Sequence, residues 1–454
     1  MTDGAGLTLH MDKYELNMVY AHWVNGTQNE RTAFEVSFRK LPFGGGYAVA
    51  AGLERIVRYL ETLRFGDEEI AFLRTQEENY PEAFLEELRR FRFEGDVYAV
   101  PEGTLVFANE PLLRVEGRVF EAQLVETAVL NFLNYQTLIA TKASRVKLAA
   151  GDDAVLEFGS RRAQEADAAL WGARAAYIAG FAATSNLLAG MRFGIPASGT
   201  HAHSWVQAHE TEAEAFDLYA RALPDQVTLL VDTYDTLRSG VPNAIRTAKR
   251  LEAMGKRLNA IRLDSGDLSY LSQQARRMLD EAGLHYVRIV ASNDLDENLI
   301  ADLKAQGARI DVWGVGTQLI TAFDQPALGG VYKLVALERD GAWEPVIKIS
   351  GNPEKVTNPG IKDVYRIVSR ETCKAVADYV ALQEEDDVKR GEPLKLFDPV
   401  HPYLSQTIRD YDALPLLQPV IRAGRRCTSC RRSKRCGLIT RSSCSCSGRN
   451  ICAA

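Results

Sequence analysis

The sequence predicts an α/β protein built on a parallel sheet, and three observations carry that expectation. Beyond Asp153, apolar runs of strand length alternate with amphipathic runs of 10 to 15 residues. Each apolar run is short and nearly continuous, as suits strands covered on both faces. Most run directly into a turn rich in Gly, Ser, Asp, Asn or Thr. In order, DAVLEFG leads to AQEADAALWGARAAYIAG and VTLLVD to VPNAIRTAKRLEAMG. RLNAIRLDSGD then leads to LSYLSQQARRMLDEAG, HYVRIVASND to LDENLIADLKAQG, and ARIDVWGVGTQL closes the series. A barrel and a doubly wound sheet both fit this rhythm.

The first 150 residues read differently. VYAVPEGTLVFANEPLLRVEG alternates like strands broken by Pro and Gly, so a separate α+β unit is expected there. EAQLVETAVLNFLNYQTLIATKASRV keeps helical apolar spacing without Gly or Pro, predicting one long, mostly buried helix. After Val331, YKLVALERDGAWEPVIKIS and KDVYRIVSRETCKAVADYVAL predict an antiparallel segment that returns to the N-terminal unit.

The formal charge is -6, but Ile421 to Ala454 holds nine basic residues and no acidic one. Residues 1–420 therefore carry 45 basic against 60 acidic side chains, an acidic body that disfavours nucleic acid and must gather any anionic substrate in a local basic pocket. Six of seven cysteines lie between Cys427 and Cys452, so disulfides are not expected to hold the body together. The N-terminus has no signal-like pattern, and Ala175 to Met191 falls short of a membrane span, so a cytoplasmic protein is expected.

In a parallel α/β architecture the turns after the strands form the reactive edge. RLDSGDL (262–268) sets Asp264 and Asp267 around Ser265 and Gly266, a pattern suited to a sugar diol or a metal-bound pyrophosphate, while spacing alone favours an N-capped turn with Asp267 as the cap. GVGTQL (314–319) offers Gly314, Gly316 and Thr317 as a phosphate cradle or a plain Gly-rich turn. In ASNDLDE, Ser292, Asn293 and Asp294 serve either an anion or a helix cap. Arg161 and Arg162 in EFGSRRAQ offer two guanidinium forks suited to a diphosphate, or form a solvated pair at a helix start, where basic residues oppose the dipole and a bound anion would relieve them. SGTHAHSWVQAH brings His201 and His203 two apart; they are either structural or chemical, metal binding lacks a nearby third ligand, and nucleophilic or acid/base chemistry, with neutral imidazole able to accept a phosphoryl group, is the better chemical use.

Taken together, MDKYELNM, RKLPFGGGYAVAAGLE, FRFEGDVYAVPEGT, NFLNYQTLIATKASR, EFGSRRAQ, GTHAHSWVQAH, RLDSGDL, SNDLDE, GVGTQL and ALGGVYKLV, in this order, resemble the nicotinate phosphoribosyltransferase family to about Pro419. The resemblance implies an incomplete or irregular α/β barrel of the type II phosphoribosyltransferase kind, with an N-terminal α/β sandwich completed by C-terminal segments, and a homodimer. It implies units at 1–145 (sandwich), 146–335 (catalytic barrel) and 336–425 (packing on the sandwich). The implied reaction joins nicotinate to 5-phosphoribosyl 1-pyrophosphate, with Mg²⁺ and with ATP as co-substrate.

By the same resemblance His203 is the phosphorylated histidine, and Tyr14, Thr200 and Arg262 contact nicotinate. Arg161, Asp264, Ser265, Gly266, Asp267, Ser292, Asn293, Gly314, Gly316 and Thr317 hold the phosphoribosyl pyrophosphate. Asp264 is the carboxylate expected to stabilise an oxocarbenium-like ribose, while Mg²⁺ arrives mainly on the substrate's pyrophosphate. No nucleic acid or membrane partner is implied. The competing class is a non-catalytic metal- or nucleic-acid-binding protein on the same fold. Residues 426–454 break with the family pattern: their Cys spacing admits Zn²⁺, their basic run admits nucleic acid, and their sudden Arg/Ser/Cys bias favours a disordered or non-native end.

Overall fold

The computed structural model describes residues 6–349, 351, 358–385, 388, 391–398, 401 and 403–427. It divides into one unit made of Met1–Thr141 with Ala327–Ala454, and a second made of Lys142–Pro326. Among the described residues no helix is long and apolar enough to cross a membrane.

The first unit is organised by a seven-stranded antiparallel sheet. Arg31–Phe38, Leu113–Arg118 and Asp96–Ala99 lie side by side in it. The late chain completes both flanks: Gly330–Arg339 pairs with Arg31–Phe38, and Gln418–Arg422 pairs with Asp96–Ala99. The domain boundary expected after residue 335 falls inside Gly330–Arg339, a strand whose pairing puts all of it in this unit. Val36, Phe38, Val97, Leu113 and Val115 are fully or almost fully buried. Charged side chains inside are paired: Lys362 Nζ lies 2.9 Å from Glu35, and the Arg114 guanidinium donates to Glu116 at 2.7 Å and to the Lys362 carbonyl at 2.6 Å. The helix expected from EAQLVETAVL onward is two, Val119–Gln123 and Glu126–Ala150. Arg425–Arg426 folds back on Gln418–Arg422 through Gly424 (φ +70°), where a Cβ would lie 2.3 Å from the Phe93 carbonyl oxygen. The Cys/Arg-rich tail expected beyond that hairpin lies, after Cys427, outside the described residues.

The second unit holds six parallel strands: β1 (Ala154–Glu157), β2 (Ala183–Thr184), β3 (Thr228–Leu230), β4 (Ala260–Leu263), β5 (Arg288–Ala291) and β6 (Val312–Val315). Their order across the sheet is β2-β1-β6-β5-β4-β3. Every strand except β2 thus neighbours its successor, and the last pairs with the first. That is a barrel's order, opened at the β2–β3 seam. Helices Glu165–Ile178, Val241–Ala253, Leu268–Glu281 and Glu297–Ala305 follow β1, β3, β4 and β5.

Pleating decides what faces the barrel interior, because alternate side chains share a face. Ala154, Leu156, Ala260, Val290 and Val312 pack together as one apolar cluster. Ile261, Leu263, Ile289 and Trp313, on the other face, are also buried, as expected for strands covered on both sides. At the N-terminal edge Asp153 accepts from Lys304 Nζ at 2.8 Å and Trp313 Nε1 at 3.0 Å, fastening the β1–β6 closure.

Candidate active site

The interior row continues past the strand ends into polar residues. Two positions beyond Leu156, Ala260, Val290 and Leu230 stand Phe158, Arg262, Ser292 and Asp232, and two beyond Arg262 stands Asp264. Backbone register therefore gathers residues that are far apart in sequence.

Arg262 is the hub. Its Nε donates to Ser292 Oγ at 2.8 Å, Nη1 to Thr200 Oγ1 at 3.0 Å, and Nη2 to Asp264 Oδ1 at 2.8 Å. The Ser292 hydroxyl also donates to Asp264 Oδ1. Burial works to raise the Asp264 carboxyl, but the Ser292 hydrogen bond and the Arg262 charge outweigh it and hold the group below the usual carboxylate range. Asp264 Oδ2 faces His203 Nε2 at 3.7 Å, near enough for charge interaction but too far for a hydrogen bond. The Arg262 guanidinium carbon lies 5.7 Å from the centre of the Phe158 ring.

Three residues of this cluster were not among those singled out in the sequence. Asp232 Oδ2 accepts from the Asp264 N–H at 2.8 Å and from Ser265 Oγ at 2.6 Å, so it holds the RLDSGD turn from below. Thr233 pairs its hydroxyl with His203 Nδ1 at 3.1 Å. Phe158 supplies the aromatic wall. The signal was available, since VTLLVD ends on an acid at the same sheet edge as the chosen turns.

The two histidines separate. His201 is buried against Phe216 and Tyr219, and its Nε2 accepts the Leu230 N–H at 3.2 Å; burial pushes its imidazole below the ordinary range. His203 opens the helix His203–Gln207 and stays part-exposed beside Asp264. Among the described residues no group of three or more His, Cys, Asp or Glu is arranged to hold a metal ion.

The ambiguous turns resolve individually. Asp267 caps Leu268–Glu281, its Oδ1 accepting the Tyr270 N–H at 2.9 Å, and Gly266 takes φ +78°. In ASNDLDE the cap is Asp296, which accepts the Leu299 N–H at 2.7 Å. Ser292 is thereby left to Arg262 and Asp264, while Asn293 and Asp294 adopt left-handed backbone at φ +88° and +30°. Gly314 has a packing reason: a Cβ there would sit 2.7 Å from the Phe158 ring. Gly316 passes close to the Phe158 carbonyl and precedes the one-turn helix Thr317–Ile320.

Arg161 and Arg162 are exposed on the short turn Ser160–Arg162. The helix proper begins at Glu165 with Glu165 and Asp167 in its first turn, so the dipole argument for a bound anion does not apply to these arginines. Tyr14 belongs to the first unit, on Lys13–Val24, where burial and then the charges of Glu126 and Glu15 raise its phenol above the ordinary range.

Comparison with known proteins agrees along the chain. Residues 9–134 match the nicotinate phosphoribosyltransferase N-terminal domain, 154–378 the nicotinate phosphoribosyltransferase family, and 361–442 the nicotinate phosphoribosyltransferase C-terminal domain. A nicotinate phosphoribosyltransferase of Bacillus subtilis is 56% identical over 425 residues, covering 93% of this chain and 85% of that protein. The crystal structure of human nicotinic acid phosphoribosyltransferase superposes with a TM-score of 0.84 at 32% identity, over 97% of this chain and 94% of the other. A nicotinate-nucleotide pyrophosphorylase from Pyrococcus furiosus superposes at 0.72 with 25% identity, over 96% and 94%.

Proposed function

The chain belongs to the nicotinate phosphoribosyltransferase family, and from that premise we propose how its β4–β5 strand ends carry the reaction. The enzyme transfers phosphoribose from 5-phosphoribosyl 1-pyrophosphate to nicotinate, giving nicotinate mononucleotide and pyrophosphate in NAD salvage.

One observation supports this assignment of roles above the others: Asp264 accepts from Arg262 and Ser292 through Oδ1 and turns Oδ2 toward His203. As pyrophosphate leaves, the ribose develops oxocarbenium charge, and the nicotinate ring nitrogen closes the new C–N bond at the anomeric carbon. Asp264, held ionised by its neighbours, stabilises that charge without reorganising. Arg262 commits three donors to the protein and keeps further N–H groups for the nicotinate carboxylate, which nicotinamide lacks. Thr200 fixes the outer edge of that guanidinium, and Phe158 offers the pyridine an aromatic face.

The turns at Ser265–Asp267, Ser292–Asn293 and Gly314–Thr317 receive the ribose hydroxyls and 5-phosphate, with Arg161 toward pyrophosphate. Asp232 and Asp264 are hard oxygen donors that would receive a hydrated Mg²⁺ carried on the substrate's pyrophosphate, where the ion would neutralise the leaving group. The His203 imidazole takes a phosphoryl group from ATP, releasing ADP, and yields it to water as phosphate. The enzyme acts as a cytoplasmic homodimer. A purely binding role is not favoured, since the reactive side chains are present and in mutual contact.

The test is nicotinate mononucleotide formation with Mg²⁺, with and without ATP, for wild type and His203→Ala, with nicotinamide as control base. Nicotinate-selective product whose ATP stimulation vanishes in the variant is expected. No product from either base by folded protein overturns the reading.

A further inference from the structure

Glu157 closes β1 and is 1% exposed. It continues the row of Val155, which faces away from the barrel interior, so it does not face the reacting atoms. One carboxyl oxygen accepts the Gly159 N–H; the other accepts the Thr184 hydroxyl at 2.5 Å. Both partners lead to the site. Gly159 lies so close to Thr317–Ile320 that a Cβ would sit 2.6 Å from that of Ile320, and the intervening Phe158 donates its N–H to the Val315 carbonyl at 2.8 Å. On the other side Thr184 donates its N–H to the Pro196 carbonyl at 3.0 Å and accepts the Ser198 N–H at 2.9 Å. Two residues later Thr200 takes the Arg262 hydrogen bond.

We propose that Glu157 is a positioning residue for phosphoribosyl transfer, fastening the Gly159 turn beside the phosphate cradle to the Pro196–Thr200 segment that steadies Arg262. The inference rests on the functional reading given above. Glu157 makes no ion pair among the described residues, and burial, opposed by its two hydrogen bonds, pushes its carboxyl above the usual range. An uncompensated acid in the protein interior is costly unless hydrogen-bonded. Here two donors converge, and a carboxyl group can accept both. The Thr184 oxygen already accepts the Asn186 N–H at 3.0 Å, so its hydroxyl hydrogen has to be given elsewhere. An amide in place of the carboxyl can satisfy Gly159 but sets an NH₂ against Thr184.

Steady-state kinetics separate positioning from mere structural support. Glu157→Ala is expected to raise KM for both phosphoribosyl pyrophosphate and nicotinate by about 10-fold or more. Glu157→Gln, which keeps the Gly159 bond, and Thr184→Val are each expected to raise the nicotinate KM while leaving the phosphoribosyl pyrophosphate KM within about twofold, and to be non-additive when combined. Where the Ala variant fails to fold, the two isosteric variants decide. Folded Gln and Val variants with both KM values unchanged, or with losses confined to kcat in proportion to active fraction, overturn the proposal. Calorimetric binding of phosphoribosyl pyrophosphate to the wild type distinguishes the two readings. Wild type that neither binds it nor forms product sinks both, whereas active wild type with unshifted variants sinks this one alone.

Discussion

His201 Nε2 accepts the Leu230 N–H at 3.2 Å, so an imidazole sits where the opened barrel seam would otherwise leave a strand edge unpaired. Nδ1 lies 3.3 Å from the Ala202 carbonyl, which requires N–H at Nδ1 and a lone pair at Nε2. The neutral form alone serves both bonds. Burial lowers the His201 pKa from its ordinary 6.5, so below that value the unfolded chain binds the extra proton and stability falls with acid. His201→Phe orphans the Leu230 N–H and should cost about 1–3 kcal/mol. Melting curves across pH check both points: the decline below 6.5 should be shallower in His201→Gln, whose amide oxygen can accept the same N–H.

Arg262 anchors three elements with one fork, and a lysine cannot reproduce that. Arg262→Lys keeps a charge but abandons the simultaneous contacts to Thr200, Ser292 and Asp264. Nicotinate KM should rise roughly 10- to 100-fold, the worth of one to two charge-assisted hydrogen bonds. The preference for nicotinate over nicotinamide should shrink in step. Competition assays with both bases measure this, and an unchanged preference would place carboxylate recognition elsewhere.

Much of this was legible in the sequence because strand alternation is a short-range signal. The polar turns named the sheet edge where Arg262, Asp264 and Ser292 meet, and the βα rhythm named the parallel sheet. Register was less accessible. That Asp232 supports Ser265 depends on Leu230 pairing with Arg262 across a ladder, and no local pattern states which strands are neighbours. The roles of Asp267 and Asp296 as caps show the opposite difficulty, since the same side chain suits a helix start or a ligand until backbone geometry chooses. The seam between β2 and β3, and hence the separate surroundings of His201 and His203, is a property of the whole sheet and not of GTHAHS itself.

Asp264 is expected to act on the transition state more than on binding. Asp264→Asn preserves shape but removes the charge proposed to face the developing oxocarbenium ion, and it leaves Arg262 and Ser292 with a weaker acceptor. A kcat loss of about 10²- to 10³-fold is expected, with phosphoribosyl pyrophosphate affinity changed far less. Because Asp264 is held below the usual carboxylate range, the wild-type rate should show no loss from its protonation between pH 5 and 8. Single-turnover measurements over that range would expose an acid limb, whose presence in wild type and absence in the Asn variant would contradict the assignment.

Glu110, in the first unit, titrates in the opposite sense. Its carboxyl accepts the Phe107 N–H at 3.0 Å, and burial, followed by the charge of Asp378, pushes its pKa up to about 8. Arg366 opposes this but is engaged by Asp378 through contacts of 2.9 and 2.6 Å. The folded chain therefore binds a proton that the unfolded chain releases near 4.5. The resulting stability is full below that value and is lost as pH rises toward 8, at a slope of the order of 1 kcal/mol per pH unit. Glu110→Gln cannot ionise, so the stability difference between wild type and variant should drift against wild type across that window and level off above it. Denaturant unfolding of both proteins at pH 5, 6, 7, 8 and 9 tests the sign directly, and a difference that does not move with pH would mean that Glu110 is already ionised in the folded protein at neutral pH.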